Sequence, residues 1–226
     1  MKIGILGTGR MGVRLAVMYS AAGHEVVLGS RDTARAQRIA AKLAHPRLAA
    51  GGYQEALDAP VILPAIFIRD GLLDQLEAMS ERLAAKILID ITNPFNQDYT
   101  DFITPWNTSG AEQIAERLPR TRVVGAFKNV WWEVFDAPDF AGAISDVYVV
   151  SDDEEAKRQV IQLGEGTPFR YLDAGRLANA RTVERMTLLS GEVGSRHGFF
   201  PRMNYKLLGE RWTPGQADQT IGPLIA

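Results

Sequence analysis

The stretch GILGTGRMG at positions 4–12 constrains the fold of this chain more than any other. Lys2–Leu6 reads as a β-strand, and Gly12–Ala22 as a helix with Val13, Ala16, Val17 and Ser20 at helical spacing. Between them, Gly7-Thr8-Gly9-Arg10-Met11-Gly12 fits the pattern G-x-G-x-x-G in the strand-to-helix setting that the pattern requires. Each glycine has a chemical reason. Gly7 permits the tight turn, Gly9 removes the side chain that would block a pyrophosphate, and Gly12 lets helix and strand pack closely. The free N–H groups at the helix start then face the phosphates.

The rest of the chain repeats the alternation. Glu25–Leu28, Ala59–Ile68, Lys86–Ile91, Arg122–Ala126 and Val147–Val150 read as strands two to six, with Pro64 ending or distorting the third. Thr33–Leu43, Leu72–Leu83 and Gly110–Leu118 read as the helices between them. Strands separated by helices of this length demand right-handed crossovers and a parallel sheet covered on both faces. The expected fold is a doubly wound α/β sheet over residues 1–150. Residues 151–226 form a small, mainly helical C-terminal extension, with helices at Glu154–Leu163 and Leu177–Gly191. It reads as a cap or dimer-forming element that completes an acceptor site.

Composition narrows the classes. A net charge of −2 offers nothing to nucleic acid or an anionic membrane. The longest apolar run, Val61 to Ile68, is far too short to span a bilayer, and the opening IGIL is too short for a signal peptide. There are no cysteines, so there is no disulfide, thiolate metal site or cysteine nucleophile. No pair of histidines or carboxylates has metal-ligand spacing. The expectation is a soluble cytoplasmic protein.

The residue that reads the ribose of a bound dinucleotide sits at the carboxyl end of strand two, where an acid would accept bonds from the 2′-hydroxyl of NAD. In GHEVVLGSRD that position is Ser30; Asp32 competes for it but lies two residues past the strand, behind Arg31. Ser30 can donate a hydrogen bond and Arg31 can form a charged fork, so the pair suits a 2′-phosphate. Two charge-assisted bonds favour NADP over NAD by about a hundredfold or more.

GTGRMG, GSRDTARA, DITNP and DDEEAKRQV…DAGRLANARTVE, in order from Lys2 to about Leu189, together resemble the NADPH-dependent coenzyme F(420) reductase family. The resemblance implies an N-terminal Rossmann domain with a small C-terminal part, and hydride transfer between NADP(H) and a deazaflavin. It also implies a 2′-phosphate pocket of Thr8, Ser30, Arg31 and Arg35, the last standing where other members have lysine. Some members carry a histidine and a proline after strand five, beside the deazaflavin ring; here Lys128 and Asn129 stand in that segment. Relatives with this fold deliver NADPH electrons to ordinary flavins, so a flavin is the other acceptor. A homodimer is expected from the family.

In an open parallel sheet the ligand lies over the carboxyl ends of the strands, which selects Ala65–Phe67, Thr92–Phe95 and Lys128–Trp132. Asn93 can hold the nicotinamide amide or ribose, with Pro94 fixing its loop, or can simply cap a turn. Trp131 and Trp132 can roof an acceptor ring or serve as core or dimer contacts. Lys128 can pair with an anionic acceptor or be a surface lysine. His24 and His45 sit in turns. His197, with Arg196, Arg202, Tyr205 and Lys206, is the histidine in an aromatic, basic setting, facing an acidic acceptor tail or a partner subunit. Hydride transfer between rings needs alignment and dryness rather than a nucleophile. A reductase of a small imine or carbonyl, and an NADPH-binding sensor without turnover, are the rival readings. The stretch GERWTPGQADQTIGPLIA has no assigned role.

Overall fold

The computed structural model describes residues 1–209. In chain order the elements begin β1 (Lys2–Leu6), α1 (Arg10–Ala21), β2 (Glu25–Gly29), α2 (Thr33–Leu43), β3 (Leu48–Gly51), α3 (Tyr53–Ala56) and β4 (Val61–Pro64). They continue α4 (Leu72–Ala78), α5 (Ser80–Leu83), β5 (Ile87–Asp90), α6 (Gly110–Arg117) and β6 (Arg122–Gly125). The remainder is β7 (Asp139–Phe140), β8 (Ala143–Ile144), β9 (Asp146–Val149), α7 (Glu154–Leu163), β10 (Arg170–Asp173) and α8 (Ala180–His197).

Six strands form one sheet in the order β3-β2-β1-β4-β5-β6, and every pairing in it is parallel. This is the Rossmann order. The order reverses between β1 and β4, so the crevice above those two strands is the ligand position that the topology creates. Both faces are buried. Ile3, Ile5, Leu28, Leu63 and Ile89 share one apolar cluster with Leu15, Ala16 and Tyr19 of α1. Leu6, Val27, Ile62 and Leu88 face Leu72, Leu76 and Ile114 on the other side.

The helix starts carry their signals. Asp32 caps α2 by accepting from Arg35 N at 3.0 Å, and Asp153 caps α7 by accepting from Ala156 N at 2.9 Å. Ser109 caps α6, accepting from Glu112 N at 3.1 Å and donating to the Glu112 carboxylate at 2.7 Å.

Four differences from the sequence reading have physical causes. The sheet's outer strand is β3, not Val147–Val150; β9 instead pairs in parallel with β10 and touches the main sheet only through a bridge from Val150 to Gly125. Strand three shrinks to Val61–Pro64, because proline lacks the N–H that would continue the ladder. The helix at Leu72–Leu83 breaks at Met79 into α4 and α5. The last helix passes Gly191 and runs to His197, where Gly198 at φ +72° ends it; the glycines inside it let neighbours approach, since a Cβ on Gly191 would meet Trp131 at 3.1 Å and one on Gly194 would meet Met203 at 2.9 Å. The extension is thus two helices plus one strand, and the unassigned tail beyond Gly209 lies outside the described residues.

Candidate functional site

The glycine loop closes over the switch point. Gly7 has φ +121°, and a Cβ there would lie 2.8 Å from the Ala65 carbonyl oxygen; one on Gly12 would lie 2.1 Å from the Gly7 carbonyl oxygen. Those two glycines are demanded by the protein itself. Gly9 is not. Its φ of −78° suits any residue, and a Cβ there would touch nothing within 4 Å. Glycine at this position leaves open space in front of the first turn of α1, which has no side-chain cap and no acid. Its N–H groups and positive dipole end face that space, a setting for a phosphate.

The reading position lies beside it. Ser30 follows β2, is 7% exposed, and accepts from Asp32 N at 3.1 Å, which leaves its own O–H to donate outward. Asp32, the competing acid, is engaged as the cap of α2 with its second oxygen 4.0 Å from Arg38. Arg35 donates to the Thr8 carbonyl at 3.3 Å, joining the two loops. Arg31 is exposed and lies near Tyr53, whose pKa is raised by burial against the opposing pull of the Arg31 cation. Among the described residues neither Arg31 nor Arg35 pairs with a carboxylate. The structure therefore brings Thr8, Ser30, Arg31 and Arg35 to one side of the glycine loop.

On its other side lies a cleft of about 1060 Å³. Gly9, Arg10 and Met11 form one wall, Thr92 and Asn93 the floor, and Trp131 and Trp132 complete the lining beside them. Helix α8 closes it with Thr187, Leu188 and Gly191. The indole N–H of Trp131 donates to Ser190 at 2.9 Å, which ties the ring to α8. Phe200 stands edge-on to Trp131 and Trp132 at centroid distances of 5.0 and 5.5 Å, and the Arg10 guanidinium lies 5.2 Å over Trp132. At the mouth, Arg69 is held between Phe67 and Tyr99 and donates to the Tyr99 hydroxyl at 2.5 Å.

Several candidates stand elsewhere than their residue types suggested. Lys128 is fully buried, and its ammonium donates to Asp90 at 2.6 Å, to the Thr92 carbonyl at 2.6 Å and to Glu184 at 2.8 Å. Burial would lower the Lys128 pKa, but Asp90 and Glu184 outweigh it and the net direction is upward. It cannot meet an acceptor. Asn129 is also fully buried, donating to the Asp146 carbonyl and to Asn204, while Pro94 lies buried beneath the loop. His197 is exposed at the end of α8, stacked on Phe199, away from the cleft lining. Arg196 pairs with Glu192, and Arg202 and Lys206 bond to main-chain carbonyls of residues 137–144. Thr187, Leu188 and Phe200 are lining residues that sequence reasoning missed. The first two were detectable, because they share a face of α8 with the buried Val183 and Glu184 one turn earlier.

A strand, a glycine loop and a helix start at the switch point of this sheet, with a serine and two unpaired arginines at the ribose end, define a Rossmann protein that binds a nicotinamide dinucleotide. Residues 2–94 match the family model described as NADP oxidoreductase, coenzyme F(420)-dependent. The F(420)-dependent NADP reductase of Methanothermobacter marburgensis is 31% identical over 205 residues, covering 84% of this chain and 90% of the archaeal one. Metalloreductase STEAP3 of Rattus norvegicus is 32% identical over 189 residues; the match takes in 83% of this chain but spans only 36% of the metalloreductase. A solved structure from Arthrobacter sp. FB24, bearing the name F(420)-dependent NADP-reductase, superposes with a TM-score of 0.78 at 25% identity, covering 92% of this chain and all of the other. The chain belongs to the F(420)-dependent NADP reductase family.

Proposed function

We propose that this chain is an NADPH-dependent oxidoreductase that moves hydride between NADP(H) and the ring of a deazaflavin, coenzyme F(420), or of a flavin. The observation that carries the reading is the continuity of cradle and cleft. The loop whose Gly9 no protein contact requires is also one wall of an aromatic cavity of about 1060 Å³. That volume is at the upper end for a small-molecule site, so it has room for a nicotinamide and a second ring.

The residues fit the dinucleotide. The Gly7–Gly12 loop and the start of α1 would hold the pyrophosphate, with Arg10 and Met11 beside it. Thr8, Ser30, Arg31 and Arg35 would hold the 2′-phosphate. Asn93 would meet the nicotinamide end; its Oδ1 is buried without a partner. Trp131, with Trp132 and Phe200, would wall the acceptor ring. When bound, NADPH supplies the hydride and the acceptor ring receives it. The chain aligns the two rings and excludes water between them.

The segment 151–226 serves in this reading as the acceptor-side wall and as the face for a second copy. Exposed Leu189, Val193 and Phe199 on and after α8 support a homodimer. Among the described residues no helix is long and apolar enough to cross a membrane, and the chain has no cysteine, which suits the reducing cytoplasm. The rival reading, a reductase of a small imine or carbonyl, needs a proton donor, and the Tyr99 hydroxyl beside Arg69 at the cleft mouth is the group that would serve. Space above the nicotinamide end argues against a sensor without turnover.

The test is NADPH oxidation by the purified protein with coenzyme F(420), FMN, FAD and riboflavin as separate acceptors and NADH as control. Turnover with F(420) or a flavin, faster with NADPH, is expected. Turnover confined to cyclic imines or ketones, and abolished by Tyr99→Phe, would install the rival.

A further inference from the structure

The buried lysine excluded from the acceptor site has another task. Its side chain and its main chain grip two consecutive residues of the cleft floor. The ammonium donates to the Thr92 carbonyl at 2.6 Å, and the Lys128 carbonyl accepts from Asn93 Nδ2 at 2.8 Å. The Thr187 hydroxyl donates to that same carbonyl, so both of its lone pairs are engaged. This fixes which way the Asn93 amide faces. Turned over, its oxygen would confront the Lys128 carbonyl oxygen, and repulsion forbids that.

Oδ1 of Asn93, a cleft-lining residue, is therefore left as an acceptor that is buried and has no donor. An unmatched buried acceptor is costly, and a ligand N–H removes that cost. The cluster behind it is rigid. Asp90 accepts from Thr92 N at 2.8 Å, the Thr92 hydroxyl at 2.7 Å and Lys128 at 2.6 Å. Glu184 accepts from Lys128 and from the Gly110 and Ala111 N–H groups at the start of α6. Each of these groups donates to one of the two carboxylates, and together the contacts lock β5, the loop after β6 and α8.

We propose that Lys128 is a positioning residue: it holds the Thr92-Asn93 floor so that Asn93 Oδ1 accepts from the carboxamide N–H of the nicotinamide, making the site select the amide itself. The proposal rests on the dinucleotide reading above.

The test compares dissociation constants, measured by isothermal titration calorimetry, for three probes. These are NADP+, its 3-acetylpyridine analogue, which replaces the carboxamide NH₂ by a methyl group, and adenosine 2′,5′-bisphosphate, which reaches only the adenosine end. The unaltered protein should bind the analogue about ten- to a hundredfold more weakly than NADP+. Asn93→Ala should bring NADP+ down to the analogue's affinity and leave the analogue unchanged. Lys128→Met should bring the discrimination toward unity with the bisphosphate affinity intact. Equal binding of NADP+ and the analogue by the unaltered protein overturns the proposal alone. Failure of the bisphosphate to bind removes the dinucleotide reading and the proposal with it. Because Lys128→Met leaves two buried carboxylates unpaired and endangers the fold, the analogue comparison and Asn93→Ala decide the matter if that variant does not accumulate.

Discussion

Exchanging the ribose-reading pair should reverse the preference between dinucleotides. In Ser30→Asp with Arg31→Ala, a carboxylate replaces the free hydroxyl at the end of β2 and the exposed guanidinium beside it is lost. Each charge-assisted bond to a 2′-phosphate contributes about 1.5–3 kcal/mol. Two would total about 3–6 kcal/mol, but Arg31 is exposed and Arg35 remains, so the lower end applies. That corresponds to about a hundredfold loss of NADPH affinity. NADH should gain a few-fold, because the introduced carboxylate accepts from its 2′-hydroxyl. The start of α2 lies three residues on, and its dipole tolerates the added charge, so Tm should hold. The assay is kcat/KM for NADPH and NADH with one acceptor, together with direct titration of both. If the two change by the same factor, the 2′-phosphate is read somewhere else and the argument from strand geometry fails.

Three further outcomes follow from particular contacts. Gly9→Ala should leave the melting temperature unchanged while weakening dinucleotide binding, whereas Gly12→Ala, with its Cβ 2.1 Å from the Gly7 carbonyl oxygen, should lower both; equal losses of stability would show that Gly9 serves the fold. Asp32→Ala should remove the cap of α2, costing about 1 kcal/mol in urea unfolding. It should leave the NADPH/NADH ratio alone, and a changed ratio would restore Asp32 as the reading residue. Asp153 is held down to a pKa of about 2, first by the Arg122 side chain and then by Ala156 N. A depressed carboxyl stabilises above its ordinary pKa of 3.8 and loses that contribution as pH falls toward about 2. Asp153→Asn should thus be less stable by about 1 kcal/mol at neutral pH, discounted for exposure, with the gap closing between about pH 4 and 2. A gap independent of pH would refute the assignment.

What was legible in the chain followed from strong local signals. The glycine loop, the Ser-Arg pair and helices α2 and α7 all appear where the sequence pattern puts them. Strand β3 was missed because LAAG has no β-branched residue and no alternation; it forms by pairing along β2 rather than from its own preference. β10 escaped for a similar reason, as its RYLD sequence is polar at both ends and depends on β9. Lys128 was misread because lysine is ordinarily a surface residue. The clue was present: an acid, Asp90, ends a strand that is buried throughout, and a buried carboxylate requires a cation. Nothing local could say that Glu184 from α8 would join them, since that contact bridges 56 residues of sequence.

The central claim is direct hydride transfer between the two rings in one cleft. Its sharpest measurement uses NADPH carrying deuterium at the transferable position of the nicotinamide and coenzyme F(420) as acceptor, with reduced F(420) analysed by mass. The account predicts that the label appears in the reduced deazaflavin and not in solvent, for one face of the nicotinamide only. Label lost to solvent, or no reduction of F(420) or of any flavin by a protein that binds NADPH, would contradict it.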